Sequence, residues 1–388
     1  VAKELRVGMV GYAFMGKAHS DGYIKAPVFF PENSAKPVMT AICGRDEAKV
    51  KAAAAQFGWK SYETDWRKLI ARPDIDVVDV STPNNSHAEI SIAAAKAGKH
   101  VFCEKPLAMS LSEAKEMRDA CNQAKVKHMV AFNYRRVPAI AFARQMIQQG
   151  KLGQIYHMRA VYLQDWILDP SFPLVWRLDA KTAGSGALGD LGAHILDLAY
   201  FLVGEIKAVS ATTKTFIKNR KELAGVTAGL GAAAGKGQGE VTVDDAFVAI
   251  AEFQNGALGT FESTRFANGR KNYNCFEING SKGSICFNLE RMNELQYLNS
   301  EEDDAVQGFR NIMITNGGKH PYVGHWWPGG HIIGWEHSHI HQIADLCDAI
   351  GKNQMPSPSF DDGCKNQAVL DAVERSSKSR HWEEVAKV

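Results

Sequence analysis

From residue 5 to about 132, short apolar runs alternate with stretches of helical period. The runs Leu5–Val10, Val38–Cys43, Asp76–Val80, His100–Phe102 and His128–Phe132 read as strands. Between them, Gly16 to about Ile24, Glu47–Phe57, Ala88–Ala97 and Ser112–Lys125 read as helices, the last with Ser112 as N-cap. Strand and helix in strict alternation predict a parallel sheet with crossover helices. After Pro138, suited to a first helical turn, the rhythm changes. A helix Ala139–Gln149, a strand Ile155–Tyr162 and a helix from about Leu191 to Leu202 come first. Antiparallel strands are then predicted at Ala208–Phe216, Ala246–Phe253, Leu258–Phe266, Asn274–Asn279 and Ser284–Asn288, with turns at Asn255-Gly256 and Ser281-Lys282-Gly283. Helices at about His337–Ala349 and Asp361–Ser379 close the chain. The pattern predicts an N-terminal doubly wound α/β domain, residues 1–134. An α+β domain with a large open antiparallel or mixed sheet follows, residues 135–388.

Composition narrows the class of partner. The chain has 388 residues, 45% hydrophobic and 23% charged, and 45 Lys+Arg against 43 Asp+Glu leave a formal charge of +2. That balance supplies no basic face for nucleic acid or anionic lipid, so a small molecule is the expected partner. Seven scattered cysteines without a Cys-x-x-Cys suggest neither a disulfide framework nor a zinc ribbon. With no leader pattern at Val1–Arg6 and no apolar run long enough for a bilayer, a cytoplasmic protein is expected. The glycine-rich stretch Ala224–Gly239 lacks a strand-to-helix context and reads as a long flexible loop.

The glycines of Leu5-Arg6-Val7-Gly8-Met9-Val10-Gly11-Tyr12-Ala13-Phe14-Met15-Gly16 are more informative, because an apolar strand leads into them and a helix leads out. In a dinucleotide fold the first glycine makes the turn, the second admits the pyrophosphate, and the third lets helix pack on strand, with free helix N–H groups facing phosphate. Gly11 and Gly16 take the outer places and Ala13 the middle one. The end of the second strand reads Cys43-Gly44-Arg45-Asp46, without the acid that usually binds the adenosine ribose. Arg45 can receive a 2′-phosphate or stack on adenine, and Asp46 can cap the next helix, so NAD and NADP both stay open.

Further segments lie where such sheets bind ligands, at strand C-terminal ends: Ser81-Thr82-Pro83-Asn84 with His87, Cys103-Glu104-Lys105-Pro106, and Asn133-Tyr134-Arg135-Arg136. Lys105 follows a strand in a geometry restricted by Pro106, where desolvation beside a cofactor favours proton release. Later, in Gly186-Ala187-Leu188-Gly189-Asp190-Leu191-Gly192-Ala193-His194, Asp190 and His194 are spaced to share a helix face, a carboxylate that can orient an imidazole. Together these motifs, in this order over nearly the whole chain, resemble the glucose-fructose oxidoreductase/inositol dehydrogenase/MocA family.

The resemblance implies hydride transfer between a sugar or polyol carbinol carbon and nicotinamide. Carried onto this chain, it makes Lys105, Asp190 and His194 the catalytic set. Gly11, Ala13, Phe14, Met15, Gly16, Arg45, Thr82, Asn84, His87, Glu104 and Lys105 become the cofactor contacts. Narrower similarity, in Tyr162-Leu163-Gln164-Asp165-Trp166, Ala183–Asp190 and Gly269-Arg270-Lys271-Asn272-Tyr273 with Phe276-Glu277-Ile278, is to that family's levoglucosan dehydrogenase branch, whose members oxidise the 3-hydroxyl of a pyranose ring. Tyr134, Gln164, Trp166 and Arg177, with Lys105, Asp190 and His194, are the candidates for holding the sugar. Trp166 and Tyr162 can equally be core, and Arg177 can pair with Asp179 or a cofactor phosphate. An inositol or acyclic polyol dehydrogenase is the alternative enzyme, and a non-catalytic cofactor-binding sensor the alternative of another class. His337, His339 and His341 lack further ligands at helical spacing, so no metal is expected. Trp326, Trp327 and Trp335 fit a lid, a subunit contact or a satellite core. Phe247–Ala251, apolar on both faces, predicts a homodimer or homotetramer through the second sheet.

Overall fold

A computed structural model describes residues 2–226 and 231–388. It falls into two compact units, Val1–Asn133 with Trp335–Gln367, and Tyr134–Gly334 with Ala368–Val388. The chain leaves the first unit after Asn133 and comes back to it for Trp335–Gln367, a return that the division into 1–134 and 135–388 does not contain.

The first unit begins with β1 (Lys3–Val10), α1 (Phe14–Phe29), β2 (Ala35–Cys43), α2 (Glu47–Phe57), β3 (Ser61–Glu63) and α3 (Trp66–Ala71). It continues through β4 (Val77–Val80), α4 (His87–Lys96), β5 (His100–Cys103), α5 (Leu111–Gln123) and β6 (His128–Val130). The six strands are parallel in the order β3-β2-β1-β4-β5-β6, the arrangement of a dinucleotide-binding sheet. Burial on both faces explains why the strands are mainly apolar: in β4 all four residues are buried, Asp79 among three valines. Asp46 caps α2 through the Lys49 N–H, and Gly58 ends it at φ 81°. The cap of α5 is Ser110, not Ser112: Ser110 accepts the Glu113 N–H while Glu113 accepts that of Met109, a reciprocal cap. The short β3 and α3 carry too few residues for a period to show.

The second unit runs through α6 (Pro138–Gln148), β7 (Ile155–Leu163), α7 (Ala180–Ala183), α8 (Ala193–Leu202) and β8 (Ile206–Lys214). Eight strands follow: β9 (Asn219–Val226), β10 (Ala232–Glu240), β11 (Ala246–Phe253), β12 (Leu258–Thr264), β13 (Tyr273–Gly280), β14 (Gly283–Asn288), β15 (Glu294–Asn299) and β16 (Arg310–Met313). Then come α9 (Glu336–Gly351), in the first unit, α10 (Phe360–Ser379) and β17 (Glu383–Glu384). Nine strands form one mixed sheet, β16-β15-β14-β13-β7-β12-β11-β8-β17, in which β7 and β12 are parallel and the other pairs antiparallel. Along β11, Phe247, Ala249 and Ala251 are buried, whereas Val248 and Ile250 are half exposed on the other face.

The stretch expected as a flexible loop, Ala224–Gly239, is largely sheet instead. β9 and β10 pair antiparallel as a two-stranded ribbon, and Gly229 lies outside the described residues. Extended backbone is open to any residue, so glycines alone do not mark a loop. At the base of the ribbon buried Arg220 donates to the carbonyls of Asp169, Phe172 and Ile167. Among the described residues no helix is long and apolar enough to cross a membrane.

Candidate active site

In the first unit β1 delivers Gly11 to the end of the sheet at φ 114°, which favours glycine, and any Cβ there would overlap the Ser81 carbonyl. At Gly16 a Cβ would overlap the carbonyl of Gly11, so the third place of the motif also requires glycine. Ala13 differs: it is the N-cap of α1 at φ −76°, a conformation open to alanine. α1 begins without a side-chain cap or an acidic residue in its first turn. A cradle closed to side chains, followed by uncapped helical N–H groups, fits a pyrophosphate. Phe14 stands half exposed and stacks on Trp335 at 5.6 Å between ring centres. Met15 is half-buried beside it.

The missing ribose acid has a steric explanation. A Cβ at Gly44 would overlap the Tyr12 ring, so the place cannot hold an aspartate while Tyr12 packs there. Asp46 is occupied as the α2 cap and in an ion pair with Lys49 at 3.0 Å. Arg45 is exposed.

The Thr82 and Lys105 loops are tied together from beneath. His87, fully buried, contacts the Thr82 carbonyl and the Pro106 carbonyl through its two ring nitrogens, each at 3.0 Å. Burial depresses its pKa. His87, with both ring nitrogens on carbonyls and no exposed surface, joins the two loops. Thr82 Oγ1 accepts from Ser86, and Asn84 opens a short 3₁₀ turn before α4. Lys105 precedes a cis peptide to Pro106 and gives its backbone N–H to Glu104 Oε2 at 3.1 Å.

Below Glu104 lies a charged cluster that reasoning from sequence did not find. His19, from α1, sits between Asp79 of β4, with Nδ1 to Oδ2 at 2.9 Å, and Glu104, with Nε2 to Oε1 at 3.0 Å. The Nε2 contact is an ion pair by distance, but its alignment falls short of a hydrogen bond. Tyr23 and Ser81 donate to the other Asp79 lone pairs at 2.9 and 2.8 Å. Burial opposes the charge of His19, but Asp79, then Glu104, outweigh it and hold its pKa up at about 10. Burial likewise opposes ionisation of Glu104, yet His19 foremost, with Lys105, keeps it below the usual carboxylate range. His339, buried on α9, is pushed down to about 3 by burial and by the charge of His19.

The three histidines of α9 do not converge. His339 meets Asn133, Gln342 and Trp335, whereas His341 packs against Phe30 and His337 lies 3.6 Å from Glu336. Among the described residues no three His, Cys, Asp or Glu side chains are placed to share a metal ion.

In the second unit Asp190 lies in a π-helical turn, Leu188–Gly192, that runs directly into α8, and His194 is buried in the first turn of α8. The turn is fixed by Asp244, which accepts the N–H groups of Gly186 at 2.7 Å and Leu188 at 2.8 Å. Arg265, fully buried, reaches Asp190 at 3.8 Å and donates to the Asp244 carbonyl. Tyr134 is brought against His194, 4.6 Å between ring centres, by its neighbour Arg135, whose guanidinium grips Asp197 of α8 at 2.9 and 2.6 Å.

From Tyr134 a line of polar groups follows the end of β7. Tyr162 OH donates to Asn272 Oδ1 at 2.6 Å and so accepts from Tyr134 OH at 2.8 Å. Gln164 Nε2 donates to the same Asn272 oxygen at 2.9 Å, and Trp166 Nε1 donates to Gln164 Oε1 at 2.9 Å. Burial, with Tyr134 and the charge of Asp190, holds the Tyr162 hydroxyl far above its ordinary pKa, so it stays protonated. The Trp166 ring meanwhile packs beside Ile167, Leu178, Val241 and Val243, serving a satellite core and the polar line at once. Arg177 lies over the Trp176 ring at 4.4 Å, while Asp179 caps α7 through the Lys181 N–H. Asn272 and Tyr162 are the members the sequence-based set lacked, although both stand in the motifs quoted for the narrower resemblance. Asp165 holds the Asn272 loop by accepting Gly269 N–H and Lys271 Nζ.

Comparison with known proteins agrees with both units. Residues 5–132 match the model described as "Oxidoreductase family, NAD-binding Rossmann fold", and residues 140–286 match "GFO/IDH/MocA C-terminal domain". The levoglucosan dehydrogenase of Pseudarthrobacter phenanthrenivorans is 44% identical over 389 aligned residues, covering 100% of this chain and 99% of that protein. A solved levoglucosan dehydrogenase in complex with NADH and levoglucosan superposes with a TM-score of 0.94 at 43% identity, covering 100% of both chains. An oxidoreductase domain protein from Kribbella flavida superposes with a TM-score of 0.94 at 51% identity, covering 99% of this chain and 100% of that one.

Proposed function

The chain belongs to the GFO/IDH/MocA oxidoreductase family, and from that membership we propose that it oxidises a secondary hydroxyl of a pyranose sugar, glycoside or anhydrosugar such as levoglucosan, at C3, to a ketone. The observation that carries the substrate class is the line Tyr134, Tyr162, Asn272, Gln164 and Trp166 beside His194. It offers hydroxyl and amide groups to sugar hydroxyls and indole surface to ring C–H bonds. Such a row suits an uncharged polyhydroxylated ring.

NAD is the cofactor, held at the Gly11 to Gly16 turn, and when bound it supplies the hydride acceptor for the carbinol C–H. Lys105 Nζ and the His194 imidazole are the groups that take the hydroxyl proton, so that the alcohol loses one hydride and one proton in all. Asp190, 3.8 Å from Arg265 and four places before His194, is the carboxylate we assign to orient that imidazole. The Tyr162 hydroxyl is a hydrogen-bonding group throughout and does not release its proton.

With NAD+ and levoglucosan, absorbance near 340 nm should rise, and the 3-deoxy analogue should be inert. Turnover of that analogue moves the oxidation off C3, and turnover of inositols with silence on every pyranose replaces the substrate class. Unpaired cysteines, five of them buried, suit a reducing cytoplasm. The second sheet's open face, with Val248, Ile250 and Leu258 about half exposed among charged neighbours, is proposed to cover a second copy of the chain.

A further inference from the structure

We infer that Arg220, at the root of the β9–β10 ribbon, is a positioning residue for sugar binding: it clamps the loop 164–174 and so fixes the Trp166 indole at the end of the polar row. The inference rests on the proposed sugar site, to which Trp166 belongs. Arg220 is buried, and among the described residues every hydrogen bond of its guanidinium ends on that loop. Nη2 donates to the Ile167 carbonyl at 2.5 Å, and Nη1 to those of Asp169 at 2.9 Å and Phe172 at 3.0 Å. The loop itself closes two separate turns, one by the Leu168 N–H on Asp165 and one by the Phe172 N–H on Asp169. Ile167 lies in the first turn, Asp169 and Phe172 in the second, so one planar fork holds the two turns in a single relation. The ribbon adds a second tie. Leu174 N–H donates to the Lys221 carbonyl at 2.7 Å, and Gly239, directly across from Arg220, leaves room for the Leu174 side chain, whose Cδ2 would stand 2.6 Å from a Cβ there.

From this clamp the contacts run to the sugar row inside one unit. Phe172 sets its ring edge-to-face against Trp166, 5.4 Å between centres at 82°, and Ile167 belongs to the satellite core on which the indole packs. Trp166 Nε1 then donates to Gln164 Oε1, and Gln164 Nε2 to Asn272 Oδ1. Removing the guanidinium leaves three carbonyls without their donor, and the two turns must part for water to replace it. The indole then loses its fixed place. That weakens the hold on a sugar ring, while the groups that take the hydroxyl proton stay where they are. A loss of this kind raises the sugar KM more than it lowers kcat, a split that a general fall in stability does not produce.

The test compares wild type with R220M, R220K, W166F and R220M/W166F, using initial rates at varied levoglucosan and saturating NAD+, and amide hydrogen exchange of the peptides covering 164–174. In R220M the sugar KM should rise at least about tenfold with kcat within about threefold of wild type. Because Arg220 acts through Trp166, adding R220M to W166F should raise KM by no more than about twofold over W166F alone. Exchange in the loop should quicken about tenfold in R220M. An unchanged sugar KM in R220M, or effects of the two substitutions that multiply in full, overturns the inference. Should R220M fail to fold, R220K decides. Its single ammonium keeps the charge but cannot span both turns, so its KM should rise at least about fivefold, and a wild-type KM overturns the inference. Exchange needs no substrate. In a protein inert to every sugar the proposed oxidation is refuted, and exchange alone then decides the clamp: a quickened loop in R220M keeps it, and wild-type protection there overturns it.

Discussion

Gly186→Ala should damage catalysis in the second unit while sparing the dinucleotide turn. Gly186 needs no left-handed backbone; it needs space, because a Cβ would overlap the Asp244 carbonyl oxygen and lie 2.7 Å from Arg265 Nη2. Neither neighbour moves freely. The Asp244 carboxylate holds the N–H groups of Gly186 and Leu188, and Arg265 is fully buried between Asp244 and Asp190. Hydrogen bonds to a charged group contribute about 1.5–3 kcal/mol each, and forcing a methyl group into a packed site costs about 1–3 kcal/mol. With partial relaxation a loss of about 4 kcal/mol is expected, against roughly 5–15 kcal/mol for a whole domain. For a unit of this size that lowers Tm by about 8–16 °C. Calorimetry reads the stability, NADH fluorescence titration the cofactor affinity, and initial rates the turnover. The expected outcome is a large fall in Tm and kcat with NADH affinity within about twofold of wild type. A Tm within 2 °C (about 1 kcal/mol or less) with unchanged kcat refutes the packing argument, and an equal loss of NADH affinity refutes its confinement to the second unit.

Gly11→Ala should abolish NADH binding, since both its φ of 114° and the Ser81 carbonyl exclude a side chain, whereas Ala13→Gly, at φ −76°, should change affinity less than about threefold. Asn272→Leu removes the acceptor shared by Tyr162 and Gln164 and should raise the sugar KM at least about tenfold with little change in KM for NAD; unchanged sugar KM removes Asn272 from the site. Stability should peak near neutral pH. His128 and His339 have folded pKa values of about 4 and 3, below the unfolded value, so their contribution is complete above about 6.5 and lost as pH falls through the folded values, at up to about 1.4 kcal/mol per pH unit each. His19, raised to about 10, contributes fully below about 6.5 and loses its contribution as pH rises towards 10. Urea midpoints across pH 4–9 check both limbs, and His128→Gln should flatten the acid limb; an unaltered slope contradicts the assignment. Val248→Glu with Ile250→Glu should yield monomers by light scattering if the open sheet face joins two copies.

The features legible along the chain rest on short-range rules. Period-two and period-3.6 patterns, a strand feeding Gly11 and Gly16, and Asp46 at a helix start depend only on near neighbours and allowed φ, so they could be read along the chain. Local signals also had their limits, as the alternating glycines of β10 show, since extended backbone is as available to glycine as the turns it usually marks. The rest depends on residues that meet only in the folded chain. His19 and Asp79 are 60 residues apart, yet become one buried charge pair when α1 packs on β4. Tyr12 closes the ribose position only because the second strand brings Gly44 under its ring. Trp335–Gln367 rejoins the first unit, and Asn272 meets Tyr162 across 110 residues because β13 lies antiparallel to β7. The physical reason is common to all four. Burial turns a charge, a hydroxyl or a ring into a demand for one specific neighbour, and only the folded path of the chain says which residue answers it.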